Sequence, residues 1–387
     1  MIVEGSTTGS APVGFVVWVN GKRRPALEET APAYAFNTSS WTANSSTRHE
    51  AVIATGLDEN AMHTIRLMKA TESQDSLTTK PQRNAVTFHA FRLEGGDIPL
   101  LLEGPSPPPR KLRFIGDSLT AGLFNLCSLR KRQEAKQGFS RLARKSQQQQ
   151  GILEAPWWEI KVRSNAFSLA GENDHGVGSS SSALTAGFMD VGFLNHLDED
   201  HSLSYAQVAC KLTRSSCHVQ AVSGGGLLLD FGNDPDDDLT ISDVTNRTLI
   251  TVETSAANIW NDALFVPDAV FINLGTNDAN RGAFRNASLT DRYVARYERY
   301  VSLIHHAYSG RAKFVLACGP AFKDYCEAVQ RVTTALATRG IDATFFDMSP
   351  LSNGTLVCHG HPSYQEAAGL GLGVAKKLEA TLGWKPS

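Results

Sequence analysis

The sequence lacks most of what would place it in a specialised class. Lys plus Arg number 37 against 39 Asp plus Glu, a formal charge of -2, so no broad basic field is available for nucleic acid or an anionic membrane. No apolar run approaches the ~20 residues that a spanning helix needs. The opening MIVEGSTTGS carries neither a basic nor an apolar targeting segment. Six cysteines include no Cys-x-x-Cys pair, which argues against zinc and thioredoxin-like patterns. The expectation is a monomer that uses no metal and no cofactor, acts on a neutral small molecule or polymer, and has neither nucleic acid nor membrane as partner.

What is present points outside the cell. Cys210 with Cys217 and Cys318 with Cys326 are spaced to close small disulfide loops, although buried free thiols would be the plainer reading. Sequons at Asn37, Asn44, Asn246, Asn286 and Asn353 lean the same way. The reading is a secreted glycoprotein whose signal segment is missing from this chain.

Residues 1–104 hold short β-rich runs, Val13 to Val19, His63 to Met68 and Val86 to Leu93, between Gly, Asn, Ser and Asp clusters. They predict a small β-sandwich domain. Residues 105–110, within Gly104-Pro-Ser-Pro-Pro-Pro-Arg110, predict a stiff linker, since consecutive prolines cannot continue a central strand. Beyond it, apolar runs (Leu112 to Ile115, His218 to Val222, Ala269 to Leu274, Phe314 to Ala317, Ala343 to Phe346) alternate with helical stretches. The helices are expected at Leu203 to Leu212, Asp291 to Tyr308, Cys326 to Arg339 and Gln365 to Leu382. Continuous apolar strands between helices predict a doubly wound parallel-sheet α/β domain over 111–387.

Residues 123–187 break this rhythm with a basic run, Gln147 to Gln150 and Ser179 to Ser182, and read as a low-complexity insertion forming a surface loop. Leu119-Thr-Ala-Gly122 recurs as Leu184-Thr-Ala-Gly187. Excising 123–187 would leave GDSLTAGFMDVGF, as if an intron had been translated or a repeat had slipped.

In such a sheet, reactive groups gather outside the carboxyl ends of the strands. Phe114-Ile-Gly-Asp-Ser-Leu-Thr120 ends one strand in a glycine-flanked turn that can present the Ser118 hydroxyl; a capping serine is the bland alternative. Ala221-Val-Ser-Gly-Gly-Gly226 follows another strand, and Gly224 is the candidate backbone donor to an oxyanion. Phe271-Ile-Asn-Leu-Gly-Thr-Asn-Asp278 supplies Asn277, whose amide N–H can serve the same oxyanion or close an Asx-turn. Cys358-His-Gly-His-Pro-Ser363 lies between the last strand and the last helix, where a histidine can take the serine proton and return it to a leaving alcohol.

Serine, glycine, asparagine and histidine in that order, each past a predicted strand, resemble the SGNH (GDSL-type) hydrolases. The resemblance implies Ser118 as nucleophile, Ser118, Gly224 and Asn277 as the oxyanion hole, and His361, which precedes Pro362, as general base. Many members carry an acid three residues before this histidine, but that position is Cys358 here. A Ser-His dyad oriented by a backbone carbonyl is the favoured explanation, with Asp347 as a possible third triad member and a weakened enzyme as the remaining option. His63-Thr-Ile-Arg-Leu-Met-Lys-Ala-Thr-Glu72 and Thr87-Phe-His-Ala-Phe-Arg-Leu-Glu-Gly-Gly96 further resemble carbohydrate esterase family 2. In that family a jelly-roll sandwich precedes an SGNH domain, acetyl groups are removed from plant-wall polysaccharides, and some members use a dyad; the sandwich of this chain reads as N-terminally incomplete. Trp260 is the candidate for stacking on a sugar, Phe231 a weaker one. The implied activity is that of an acetylxylan-type esterase, against a lipase or lysophospholipase and a decayed carbohydrate-binding protein.

Overall fold

The computed structural model describes residues 2–7, 13–24, 36–37, 49–58, 61, 63–71, 86–92, 108–127, 199–231, 240–248, 258–352 and 356–385. At the N-terminal side, β1 (Ile2–Thr7) pairs antiparallel with β5 (His49–Val52) and β7 (Val86–Arg92). A second antiparallel sheet joins β2 (Gly14–Val19) to β3 (Lys22–Arg23), β4 (Phe36–Asn37) and β6 (Ile65–Lys69). Alternation along β2 sends Phe15, Val17 and Val19 into a core with Ile53 and Ala54. The Phe15 ring meets Phe88 of the other sheet edge-on at 5.5 Å. Val16 and Trp18 face the opposite way, onto Ala70, Leu126, Leu203 and Tyr364. β2 is therefore covered on both faces, which is why Val13 to Val19 reads as a continuous apolar run. A partly buried ion pair crosses the same junction, Arg23 to Asp200 at 2.6 Å.

The rest is built on five parallel strands: β8 (Arg110–Gly116), β9 (Ser215–Ala221), β10 (Ala269–Asn273), β11 (Lys313–Cys318) and β12 (Ala343–Asp347). Their spatial order is β12-β11-β10-β8-β9. The chain thus leaves β8 toward one edge and crosses back to β10 on its other side, placing a topological switch point between β8 and β10. Helix α1 (Ser118–Ala121) follows β8 directly. The longer helices are α2 (Tyr205–Leu212), α5 (Ala287–Ala307), α6 (Cys326–Thr338) and α7 (Tyr364–Leu382), with short α3 (Ile241–Val244) and α4 (Thr276–Asn280) between. Residues of α2 and α7 share a core with Leu112, Phe114 and Phe271 on one face of the sheet. Those of α5 and α6 pack on Ile115, Val270 and Ile272 on the other. The doubly wound reading holds, and every residue of β10 is buried.

Element edges depart from the sequence reading where capping decides. α5 begins at Ala287 rather than Asp291 because the Asn286 side chain accepts the N–H groups of Ser288 and Leu289. His201–Leu203 form a separate 3₁₀ turn, and Ser204 caps α2 through Gln207 N–H. Arg110, expected in the linker, is the first residue of β8; the remainder of the linker before residue 108 lies outside the described residues.

The insertion needs correcting at its near edge. Leu123, Phe124, Leu126 and Cys127 are buried, and Cys127 is disulfide-bonded to Cys358. Residues 123–127 are therefore part of the packed core around α1 in this chain. Residues 128–187, including the second Leu-Thr-Ala-Gly copy, lie outside the described residues. The two short loops close as expected, Cys210–Cys217 and Cys318–Cys326; the long-range pair was not foreseen.

Candidate active site

Register brings the expected residues together. Gly116 at the end of β8 lies beside Asn273 of β10 and Ala221 of β9. The segments carrying Ser118, Asn277 and Gly224 therefore leave the sheet side by side at its carboxyl edge. Gly116 has no substitute here, because a Cβ would come within 2.0 Å of Thr120 Oγ1 as the chain doubles back. Asp117 caps α1 by accepting the Leu119 N–H at 3.0 Å, so Ser118 stands on the first turn of a helix with its hydroxyl turned to the crevice.

The loop after β9 is tied to α4. Asn277 Nδ2 donates to the Gly225 carbonyl at 2.8 Å, leaving its other amide hydrogen available. Asp278 accepts the N–H groups of Leu227, Leu228 and Leu229 at 2.8–3.0 Å and so pins the same loop. Gly224 has φ +78°, a backbone state suited to glycine. Gly275 at φ +137° turns β10 into α4; a Cβ there would meet the Tyr325 ring at 2.4 Å. Among the described residues, the N–H groups of Ser118 and Gly224 donate to no protein acceptor. These groups lie on segments that leave adjacent strand ends.

Opposite them sits the histidine. Cys358 and His361 exchange two backbone hydrogen bonds, 3.1 and 2.9 Å, around His359 and Gly360. Both central residues have positive φ, +53° and +78°, as a type I′ turn requires. This conformation aims the His359 carbonyl at His361 Nδ1, 3.1 Å away, while Nε2 lies 2.7 Å from Ser118 Oγ. A carbonyl can only accept, so Nδ1 carries the proton and Nε2 is the acceptor for the serine hydroxyl. Phe124 lies edge-on to the imidazole at 5.3 Å. Burial drives the His361 pKa down to about 4; the nearby His359 side chain acts in the same direction, against the pull of the carbonyl bond.

Not every expected residue arrives here. Asp347 does not reach His361: its Oδ1 accepts the Ser349 N–H at 2.8 Å beside the Cys318–Cys326 disulfide, and β12 is the far edge of the sheet. The grouping Cys318, Cys326 and Asp347 has the residue types of a metal site, but its two sulfurs are bonded to each other. Trp260 stacks on His218 in mid β9, with ring centroids 4.6 Å apart, and is not brought to the site. Phe231 is nearer, donating its N–H to the Gly224 carbonyl at 2.8 Å. The sequence reading missed Asp117, Asp278, Phe124 and Cys127. Adjacency to Ser118 and Asn277 was the available signal for the two acids. Burial pushes the Asp117 carboxyl up to about 7, and that of Asp278 upward against three N–H donors. Nothing local marked Phe124 or Cys127.

No family model matches the chain. It is 24% identical over 258 residues to the Cellulase/esterase CelE of Acetivibrio thermocellus, a match that takes in 66% of this chain but only 21% of that protein. The chain thus spans about a fifth of the length of that relative. A family two carbohydrate esterase from Clostridium thermocellum, solved in complex with cellohexaose, superposes with a TM-score of 0.65 at 22% identity, covering 99% of this chain and 90% of its own. An acetyl xylan esterase from the rumen bacterium Butyrivibrio proteoclasticus gives 0.66 at 14% identity, covering 99% and 88%. At these identities the likeness is one of fold, and it extends over both the β-rich and the α/β parts.

Proposed function

We propose that this chain, which shares the fold of the family two carbohydrate esterases, is a serine esterase that removes acetyl groups from acetylxylan-type plant-wall polysaccharides or oligosaccharides. One observation carries the reading: Ser118 Oγ and His361 Nε2 are 2.7 Å apart at the switch point of a doubly wound sheet, where the segment carrying Asn277 leaves the neighbouring strand.

The proposed chemistry needs only this chain's residues. His361 Nε2 takes the Ser118 proton as Oγ attacks the acetyl carbonyl, and the charge developing on the carbonyl oxygen is met by the N–H groups of Ser118 and Gly224 and by Asn277 Nδ2. Collapse passes the proton from His361 to the leaving sugar hydroxyl and leaves an acetyl group on Ser118. Water, activated by His361 in the same way, then releases acetate. The His359 carbonyl holds the productive tautomer, one of the tasks that a triad acid performs. A dyad of Ser118 and His361 thus fits the geometry better than a triad through Asp347.

The finer assignments belong to the same reading. The two antiparallel sheets of residues 1–104 are taken as the jelly-roll domain and 111–387 as the hydrolase domain, with carbohydrate as the partner. Three disulfides support an extracellular setting, and among the described residues no helix is long and apolar enough to cross a membrane. The test is acetate release from acetylated xylan by the wild-type chain and by Ser118→Ala. Release that vanishes in a folded Ser118→Ala variant is the expected result; equal release from both would remove Ser118 from the chemistry. A 4-nitrophenyl ester series should peak at acetate, whereas a peak at octanoate would favour a lipase.

A further inference from the structure

We infer that the Cys127–Cys358 disulfide, together with Phe124, is a positioning device that holds the His361 turn over Ser118 in place of the acid the turn lacks. The inference rests on the reading of Ser118 and His361 as the catalytic pair.

A triad acid selects the tautomer of the histidine, anchors the ring to the body of the protein and stabilises the imidazolium that forms; the first two are tasks of position. The His359 carbonyl does the first, but it belongs to the same four-residue turn as His361 and moves with it. The two backbone bonds between Cys358 and His361 are likewise internal to the turn. Anchoring must come from outside. On the C-terminal side it comes from Ser363, which caps α7 in a reciprocal capping box with Glu366. On the N-terminal side it comes from Cys358, at the position of the family's acid, bonded to Cys127.

Cys127 is itself well held. Asn125, two residues before it, exchanges amide hydrogen bonds with the Asp200 backbone at 2.8 and 2.9 Å, and the Asn125 carbonyl accepts the Tyr364 N–H at 2.8 Å. A continuous path therefore runs from Ser118 through α1 and residues 123–127, across the disulfide, and back through the turn to His361 Nε2. Phe124 occupies a left-handed backbone state, φ +59°, which is uncommon for a bulky residue. That state sets its ring edge-on to both His359 and His361, at 5.4 and 5.3 Å, covering the imidazole from water. Leu123, Phe124, Cys127 and Cys358 form a small buried apolar cluster of their own.

The test compares wild type with the Cys127→Ser/Cys358→Ser double variant by three readouts. They are the rate at which a small fluorophosphonate labels Ser118, kcat and KM on 4-nitrophenyl acetate, and the pH dependence of kcat/KM. Displacing a catalytic group by about an ångström can lose ~100-fold in rate, so labelling and kcat should fall about 10- to 100-fold with KM changed less than about twofold. The acid limb should move from about 4 toward the ordinary 6.5 as water reaches the ring, a change that a merely stabilising bond would not cause. Phe124→Leu should shift the limb the same way by a smaller amount. Labelling and kcat within about twofold of wild type in the folded double variant would overturn the inference. If the serine pair does not fold, Cys127→Val/Cys358→Ala keeps the site apolar. Failure of both to fold would assign the bond to stability and overturn the inference too. A wild type that fluorophosphonate does not label would sink the catalytic reading and this inference with it, whereas a labelled wild type with an indifferent variant sinks the inference alone.

Discussion

The two sides of the site are made differently. Ser118 and Asn277 leave β8 and β10, strands hydrogen-bonded to neighbours on both sides and packed under helices on both faces. His361 closes a four-residue turn held by one bridge of its own and by one disulfide to a cysteine 231 residues before Cys358. A sheet places its strand ends cooperatively, since moving one end requires moving the ladder. A turn has no such reserve, and its aim depends on a few individual bonds. The serine side should therefore respond to loss of chemistry, and the histidine side to loss of support.

The largest effect that would sharpen this contrast is on the sheet side. Asn277→Ala removes the proposed oxyanion donor, and loss of such a donor typically costs ~100- to 1,000-fold in kcat. It also leaves the buried Gly225 carbonyl without its partner, at a cost of about 1–3 kcal/mol. Steady-state kinetics with a thermal melt would separate the two: a large fall in kcat with a modest fall in Tm is expected. A loss of kcat under about fivefold would mean that the sheet side does not supply the oxyanion hole.

The next effect belongs to the turn. As the proposed base His361 must be unprotonated to act, and burial lowers its pKa to about 4, so the proton stays off until the pH falls to that range. kcat/KM for an uncharged ester should hold at pH 5.5, where a base titrating at the ordinary 6.5 would retain about one tenth. A profile falling already below pH 6.5 would show that the turn admits water and that Phe124 does not cover it.

The same contrast governs what was legible in the sequence. The inner strands β8, β10 and β11 can be read as apolar runs because helices cover both faces of the sheet there, while the edge strands β9 and β12 are only half-buried; Ser118, Gly224, Asn277 and His361 can be read because each follows a strand. β1 is harder to read, since Ile2–Thr7 contains Glu4, Gly5, Ser6 and Thr7 and depends on pairing with β5 and β7. The start of α5 is set by one side-chain cap at Asn286. Cys127 is the clearest failure. It stands at the edge of a polar, repetitive stretch that looks dispensable, and its role exists only once the chain returns to it at Cys358. Trp260 misled for the converse reason: an aromatic between two strand-end motifs has the right address in sequence, but its ring is used on His218.

The smallest effect tests the comparison from the side of absence. If the histidine turn is supported by Cys127 and by its own carbonyl, no carboxylate charge is needed, and Asp347 should be dispensable to the chemistry. Asp347→Asn keeps an acceptor for the Ser349 N–H and keeps the contact with the Cys318–Cys326 bridge, so it removes the charge and little else. kcat within about twofold of wild type is expected, since a substitution that preserves the local hydrogen bond at the sheet edge has no route to Ser118. A loss of tenfold or more would mean that the carboxylate acts on His361 during turnover, and the turn would then need neither the disulfide nor the ring to explain its aim.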